Sequence, residues 1–237
     1  MSARLQVEAL LGHAVRHAIA IVLLIAGAHH APVALAGALV LHLAAFAFTH
    51  ELAHGALGLP RRLNELALSL AALPMLVAGH GMRALHLRHH ARPLAADDLE
   101  GVGATMTLWR AVLAGPMNAA QYRTEAFRAG DNRAWLIAET MAAIALTVLA
   151  LISRTTLGAA WVLVNVVLQL TASAWASNLP HRPPAHFVKI ARHLEWTRSA
   201  VVASFLHHEL HHRFPSLPLP AWESIGWMSR RNQENPA

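Results

Sequence analysis

The sequence contains no cysteine among its 237 residues, so it can form no disulfide bond, no thiolate-ligated iron–sulfur cluster and no cysteine nucleophile. Charged residues make up only 14% of the chain, whereas a soluble domain usually carries about 25%. Apolar residues reach 55%. This composition excludes a disordered protein or a coiled coil, argues against a water-exposed enzyme, and indicates an integral membrane protein.

Four apolar segments predict an all-α fold with four transmembrane helices in two hairpins. A membrane helix needs about 20 apolar residues, and at least ~17. The first segment meets that length only if Arg16 extends its charge to the membrane surface. A signal peptide is the alternative interpretation of residues 18–28, because residues 26–28 (AGA) resemble a cleavage site, although the turn at residues 29–32 favours a hairpin. The predicted spans are about 14–28, 33–49, 134–152 and 157–176.

Two further segments are expected at the membrane surface. Residues 66–79 are too few to cross and include Pro74, so they predict an interfacial or re-entrant segment. Residues 109–133 combine basic and aromatic side chains, which predicts an interfacial helix, with docking of a redox donor as the alternative. No linker divides the chain, and residues 1–237 are predicted to form a single domain.

The basic residues predict the orientation. With the four spans above, 18 of the 19 lysines and arginines lie on one side, and only Arg154 lies on the other. The positive-inside rule makes the basic side cytoplasmic and suggests a cell inner (cytoplasmic) membrane. The sequence pI of about 11.3 follows from this topology, so a nucleic-acid partner is not needed to explain it.

Histidine is abundant, with 18 residues against 13 acidic residues. Three clusters carry metal-ligand spacing: residues 50–54 (HELAH), 86–90 (HLRHH) and 208–212 (HELHH). Spacings of three and four residues put imidazoles on one helical face, and a further histidine follows the last span. All of them fall on the predicted cytoplasmic side. The candidate ligands are His50, His54, His86, His89, His90, His181, His208, His211 and His212.

Nine candidate ligands exceed what one metal ion needs, since a catalytic zinc takes three protein ligands. The number predicts two ions, and iron suits ligation by imidazole alone. A membrane zinc protease is one alternative, because HExxH occurs at residues 50–54 and again at 208–212. It would leave the second cluster unexplained. A catalytically inactive metal-binding membrane protein is the other alternative.

The ordered clusters resemble the membrane fatty acid desaturase superfamily, which includes acyl desaturases, lipid hydroxylases and carotenoid ketolases. The resemblance runs from about His50 to Pro218 and implies ligand roles for the nine histidines, a di-iron site and O2 as co-substrate. It also implies an external electron donor such as a ferredoxin-type protein. The expected reaction is oxidation of an unactivated C–H bond in a fatty acyl chain or carotenoid, by desaturation, hydroxylation or ketolation.

Finer features divide within that superfamily. Residues 86–93, the acidic pair at 97–98 and residues 179–183 (LPHRP) resemble short carotenoid ketolases, whereas residues 211–218 (HHRFPSLP) equally resemble acyl desaturases. Glu51 stands where the family usually has aspartate. Glu51 and Glu209 are expected to accept hydrogen bonds from the ligating imidazoles. Asn178 is a candidate for the same outer shell, with helix capping as the favoured role.

Other histidines are expected to stay outside the metal site. His42 should be a neutral, hydrogen-bonded residue within the second span, while His80, His186 and His193 should lie at the surface. Replacement of His13, His29, His30 or His193 should be tolerated. His207 could take the place of His208 because it lies four residues before His211, but the family spacing favours His208.

Overall fold

The computed structural model describes residues 3–130, 132–197 and 200–222, and within these ranges the regular secondary structure is helical. The α-helices are α1 (Ala3–Ala26), α2 (Ala31–Ala53), α3 (Arg61–Ala72), α4 (Gly79–Ala91), α5 (Leu108–Ala129), α6 (Arg133–Ile152), α7 (Thr156–Leu170), α8 (Leu179–His181), α9 (Ala185–His193) and α10 (Ala200–Arg213). Short 3-10 segments cover Leu73–Met75, Gly101–Thr105 and Glu195–Thr197, and a π-helix covers Ser173–Asn178.

Helices α1 and α2 form the hairpin predicted by the sequence. Two glycines allow the close contact: a Cβ on Gly37 would lie 2.8 Å from the backbone nitrogen of Leu24, and one on Gly27 would collide with the backbone of Ala34. The first predicted span began too late, since α1 starts at Ala3. Arg16 and His17, at the start of the predicted span, lie inside the longer helix and are half-buried, and Arg4 in its first turn pairs with Glu8 at 2.9 Å.

Helices α1, α2 and α6 are each long and apolar enough to cross a membrane. The fourth predicted span is interrupted, because α7 ends at Leu170 and the chain continues through the π-helix and α8 after a bend of 55°. The expected continuous helix over residues 157–176 is therefore wrong at its end. Thr171 bonds back to the carbonyl of Val167 there, and π-helical turns of this kind commonly accompany functional sites.

Helices α3 and α4 form a sharply bent pair. The bend lies in the segment, residues 66–79, that is expected from the sequence to be interfacial or re-entrant. The bend is 99°, at a break between Met75 and Gly79. Leu76 takes a left-handed conformation there, with φ of 58°. Each bent pair of helices, taken as one unit, would pass as a broken span. The described residues therefore contain three candidate spans, or up to five if both bent pairs are counted.

The histidine clusters lie at one end of the long helices. Cluster one ends α2 and His181 ends the bent continuation of α7, while the tight turns near Gly27 and Ser153 lie at the opposite ends of the same helices. Leu52, Leu57 and Leu68 are fully buried and pack together, which joins the end of α2 to α3. Cluster one and His181 therefore lie at the same end of the long helices.

Candidate metal centre

The structure brings all nine predicted histidines together. Helix α2 supplies His50, and His54 caps its end; α4 supplies three residues, α8 supplies His181 and α10 supplies three. They form two adjacent groups rather than one. Their roles as ligands remain a prediction, but their convergence from four separate elements is a feature of the fold.

The first group contains five imidazoles. One nitrogen from each of its members lies within 4.8 Å of the corresponding nitrogen of every other member; the members are His50, His54, His86, His90 and His211. Two close pairs face each other through Nε2, at 2.8 Å between His54 and His86 and at 2.9 Å between His90 and His211. We call these residues the five-histidine group.

The second group is centred on His89, His181 and His212, whose ligand nitrogens also lie within 4.8 Å of one another. His208 adjoins it, with its Nε2 3.2 Å from that of His181 and 3.1 Å from that of His212. We call these four residues the second group. Helix α4 contributes to both groups, since His89 faces the second while His86 and His90 face the first.

Three histidines have their other ring nitrogen fixed by an oxygen acceptor. The Nδ1 atom of His86 lies 2.5 Å from Glu100, that of His89 lies 2.7 Å from Asp98, and that of His181 lies 2.8 Å from the carbonyl oxygen of Ser177. An acceptor at Nδ1 holds the proton there, so Nε2 is left unprotonated and turned toward the group. Such acceptors accompany most metal-ligating histidines and orient their rings.

The electrostatics of the two groups favours neutral imidazoles. Burial, followed by the neighbouring rings of His86 and His212, lowers the pKa of His54 to about 3. Burial and the neighbouring rings of His181 and His212 likewise lower the pKa of His208 to about 2. Neutral imidazole is the form that binds metal, so these low pKa values favour metal binding. His89 differs: burial lowers its pKa, but the hydrogen bond to Asp98 and the charges of Glu100 and Asp98 outweigh burial and raise its pKa.

The carboxylates behind the rings are ionised. Burial raises the pKa of Asp98, but the hydrogen bonds from His89 and from the backbone of Gly101 and Leu94 outweigh burial, so the net pKa lies below its ordinary value. The close fit also needs a glycine, because a Cβ at Gly101 would collide with Asp98 and lie 3.1 Å from Nδ1 of His89. Asp98 therefore carries a negative charge next to a ring of the second group.

The donor set fits metal ions. Nine buried or half-buried imidazoles, in two groups with facing Nε2 atoms, offer nitrogen ligands that suit zinc or iron. Without a cation, each facing pair could make one hydrogen bond at most, since a neutral ring has a single N–H. The residues present are compatible with one ion in each group.

Of the expected outer-shell residues, the structure brings none against the nine rings. Both oxygens of Glu51 are occupied elsewhere, by Nε2 of His13 at 2.9 Å and by the backbone nitrogen of Leu219 at 2.6 Å. Glu209 is exposed on α10. Asn178 donates to the carbonyl oxygens of Gly103 and Met106 instead of capping a helix, because it lies inside the turn of the π-helix that packs on this loop.

In the structure His208, rather than His207, joins the histidine groups, and its role as a ligand remains a prediction. Helix α10 is kinked at His207, which has φ of −130° and ψ of 16°. His207 is buried away from both groups, with its Nε2 3.5 Å from Glu195. The kink turns His208, His211 and His212 toward the other clusters.

Trp222, which sequence reasoning did not single out, covers the five-histidine group. It is 6% exposed, and its ring centroid lies 4.5 Å from that of His211 and 6.1 Å from that of His50. The bond from the backbone of Leu219 to Glu51 ties the same segment to α2. Trp222 thus excludes water from one side of the group.

Two histidines expected at tolerant surface positions are buried. His13 is 3% exposed and bonds to Glu51, 38 positions along the chain. His80 is 4% exposed, with Nδ1 2.6 Å from Glu139 and Nε2 2.7 Å from Glu65. The expectation failed because both partners lie on other helices, so no local spacing reveals them. His42 does bond within the membrane region, to Asn165 at 2.8 Å.

A cavity of about 530 Å3 lies between the membrane helices and the metal centre. Its walls come mainly from α5, α6 and the π-helix, with fewer residues from other helices, and are largely apolar, including Phe46, Leu136, Ala143 and Leu168. Glu100, which holds His86, is one of its lining residues. The cavity therefore extends from the apolar helices to a residue that contacts the five-histidine group.

One comparison with known proteins gives a match. The sequence model of the family described as "Fatty acid desaturase" matches residues 26–233, which include all nine histidines. No curated protein and no solved structure matches the chain significantly.

Proposed function

Because the chain belongs to the fatty acid desaturase family, we propose that it is a membrane-bound, non-haem di-iron oxidoreductase that uses O2 to oxidise an unactivated C–H bond of a lipid. The observation that carries the proposal is the convergence of nine imidazoles in two adjacent groups. Two groups of this kind are what a pair of metal ions needs. The family match supports the coarser statement, a membrane oxidoreductase acting on lipids.

The five-histidine group would hold one iron ion and the second group, with His208, would hold the other. Bound iron supplies the oxidising chemistry with O2, while the protein supplies ligand geometry and substrate position. Asp98, Glu100 and the carbonyl of Ser177 keep three rings in the ligating tautomer. Trp222 keeps water from one side of the rings.

The cavity beside Glu100 is the proposed lipid site. Its volume lies within the range of about 300–1,000 Å3 that is usual for ligand pockets. Its apolar walls suit an acyl chain or a carotenoid, and its contact with Glu100 would bring a lipid close to His86. Desaturation, hydroxylation and ketolation all begin with loss of hydrogen from such a chain, so the proposal covers these three outcomes.

The electron donor and the orientation are part of the same proposal. The sequence has no cysteine to hold an iron–sulfur cluster, so electrons would come from a separate ferredoxin-type protein. The basic residues support a cytoplasmic position for the histidine clusters, in an inner membrane crossed by four helices. That position would make the metal centre accessible to a cytoplasmic donor.

The zinc protease alternative loses its main support in the structure. A protease of the HExxH type needs its glutamate as a general base beside the metal. Glu51 is instead held by His13 and Leu219, and Glu209 is exposed. The inactive metal-binding alternative has no such observation against it, and it is tested by activity.

Lipid analysis tests the proposed activity. The chain would be expressed in a host that makes both unsaturated acyl lipids and β-carotene, beside the His89→Ala variant as an inactive control. We expect new lipids, differing by loss of hydrogen or gain of oxygen, only with the unaltered chain. A lipid profile identical to that of the control, from protein that carries iron, would contradict the proposal and favour the inactive alternative.

A further inference from the structure

The first half of helix α5 carries an exposed apolar stripe. Trp109, Leu113 and Met117 follow one another at intervals of four residues and are 69%, 63% and 64% exposed. Phe127, five turns after Trp109 and 44% exposed, lies on the same face of the second half. The opposite face packs against the fold through buried Ala111, Gly115 and Ala126. This row of side chains exposes more apolar surface than a water-facing helix usually does.

The stripe is bordered by positive charge. Arg110, Arg123 and Arg128 are exposed beside it. The acidic residue of this helix, Glu125, lies on the side toward α4, where Arg88 donates to it at 3.1 Å. The exposed side of α5 is therefore apolar and cationic. This combination is typical of helices that lie in the plane of a membrane surface and attract anionic lipids.

Contacts with the membrane helices place α5 at their ends. Gly115, in the middle of α5, packs on the carbonyl oxygen of Leu170, the last residue of α7, so closely that a Cβ would collide with it. Helix α5 ends at Ala129, and the candidate span α6 begins at Arg133. Helix α5 thus lies across the end of one membrane helix and leads directly into another.

We propose that the exposed side of α5 is a binding surface for anionic phospholipids of the bilayer that holds the protein. The apolar stripe enters the acyl region, and Arg110 and Arg128 reach the phosphate groups. An acidic redox protein would match the charge of the arginines but not the exposed apolar side chains of Trp109, Leu113 and Met117 beside the membrane spans. This lipid surface is independent of which metal the histidines bind.

Helix α5 connects the proposed lipid-binding surface to the cavity. Ala119, Tyr122, Arg123 and Phe127 line the cavity as well as belonging to α5. Arg123 also donates to Gln169 of α7. The helix that rests on the lipid headgroups is therefore one wall of the cavity, so its depth in the membrane sets the position of that wall.

Spin labels on single cysteines test the depth of α5, since the native chain has no cysteine to remove. The full chain would carry Leu113→Cys or Met117→Cys in nanodiscs of phosphatidylcholine and phosphatidylglycerol. Met141→Cys, at an exposed site of α6, and Asp97→Cys, in an exposed ion pair with Arg92, are the lipid and water controls. We expect the α5 labels to relax with O2, as at position 141, and to be shielded from a water-soluble nickel complex.

Arginine variants test the charge. In detergent, phosphatidylglycerol added to the full chain should raise its thermal unfolding midpoint. The concentration needed for half of that effect should rise roughly fivefold for each of Arg110→Gln and Arg128→Gln. Arg92→Gln, which removes an exposed arginine away from α5, should leave the concentration unchanged.

Three results would overturn the proposal. Labels at Leu113 and Met117 that meet the nickel complex as freely as the label at position 97 would show that α5 faces water. Labels protected only after addition of an acidic ferredoxin would assign the surface to a protein partner. An equal effect of phosphatidylglycerol on all three arginine variants would show that α5 does not provide the lipid site.

Discussion

At the scale of single residues, the acceptors behind the imidazoles matter as much as the imidazoles. Asp98 accepts from Nδ1 of His89 and from two backbone N–H groups. The histidine spacing gave no sign of this role, although the acidic pair at 97–98 follows the second cluster closely. Which of two neighbouring aspartates serves a ring depends on the turn between Leu94 and Gly101, and helical spacing does not describe that turn.

Asp98→Asn should lower the affinity of the second group for metal by roughly 10–100-fold. The amide would turn an N–H toward a donor that now faces a carboxylate oxygen, and it removes the negative charge beside His89. Iron per chain would be measured by mass spectrometry after dialysis against a chelator. The matched control is Asp97→Asn, because Asp97 is exposed and pairs only with Arg92 among its described contacts. Equal iron loss in both variants would contradict the assignment.

His207 and His208 are neighbours with different surroundings, and they test the register of α10. His208 contacts His181 and His212, whereas His207 lies toward Glu195. We expect His208→Ala to lose bound iron and activity and His207→Ala to retain both largely. A reversed order in the iron content of the two purified variants would show that the kink at His207 is placed wrongly.

The sequence predicted that replacement of His13 would be tolerated, and the structure changes that prediction. Its Nε2 contacts Glu51, and both side chains are 3% exposed. His13→Ala would leave a buried oxygen of Glu51 without this hydrogen-bond partner, and an unsatisfied buried polar group costs about 1–3 kcal/mol. The thermal unfolding midpoint in detergent should therefore fall. His29→Ala, at an exposed turn, is the control, and an unchanged midpoint in both variants would refute the pairing.

At the scale of elements, α4 is fixed at its first turn. Glu139 of α6 accepts from the ring and from the backbone nitrogen of His80, and Ser69 of α3 donates to the same carboxylate. The backbone contact places a carboxylate at the N-terminus of α4, where helix geometry favours negative charge. Because α4 carries histidines of both groups, this junction positions the whole second cluster.

Glu139→Gln should loosen the start of α4 and lower the iron content of both groups together. The amide cannot accept at both oxygens, so at least one of the three donors loses its partner inside the protein. Glu125→Gln is the matched control, since Glu125 also joins α4 to another helix but through a part-exposed pair with Arg88, which is worth about 0–1 kcal/mol. Iron loss confined to one group, or equal in both variants, would contradict this role.

Local sequence patterns predicted the helices and the histidine clusters better than they predicted the contacts between helices. The helical hairpins, the bent segment near Pro74 and the three clusters were visible because each depends on spacing within one segment. The bonds from His13 to Glu51 and from His80 to Glu139 join residues 38 and 59 positions apart. The break after Leu170 was missed for another reason: residues 171–176 (TASAWA) contain no proline or glycine to indicate the end of a helix.

At the scale of the whole molecule, the fold places an apolar cavity and the histidine groups in separate, neighbouring regions. Helices α5 and α6 and the π-helix form much of the apolar cavity, and the imidazoles that lie beyond it come from α2, α4, α8 and α10. The match to the fatty acid desaturase family confirms the resemblance found in the ordered clusters. The carotenoid features of the sequence remain a prediction, because a cavity of this volume suits a carotenoid ring and an acyl chain alike.

Metal analysis of the purified full chain tests the central claim most directly, namely that the nine histidines hold two iron ions. We predict about two iron ions per chain, falling to about one when His181, which belongs only to the second group, is changed to alanine. The remaining iron should then be lost on His54→Ala. One zinc ion per chain without iron, or substoichiometric metal of any kind, would contradict the account.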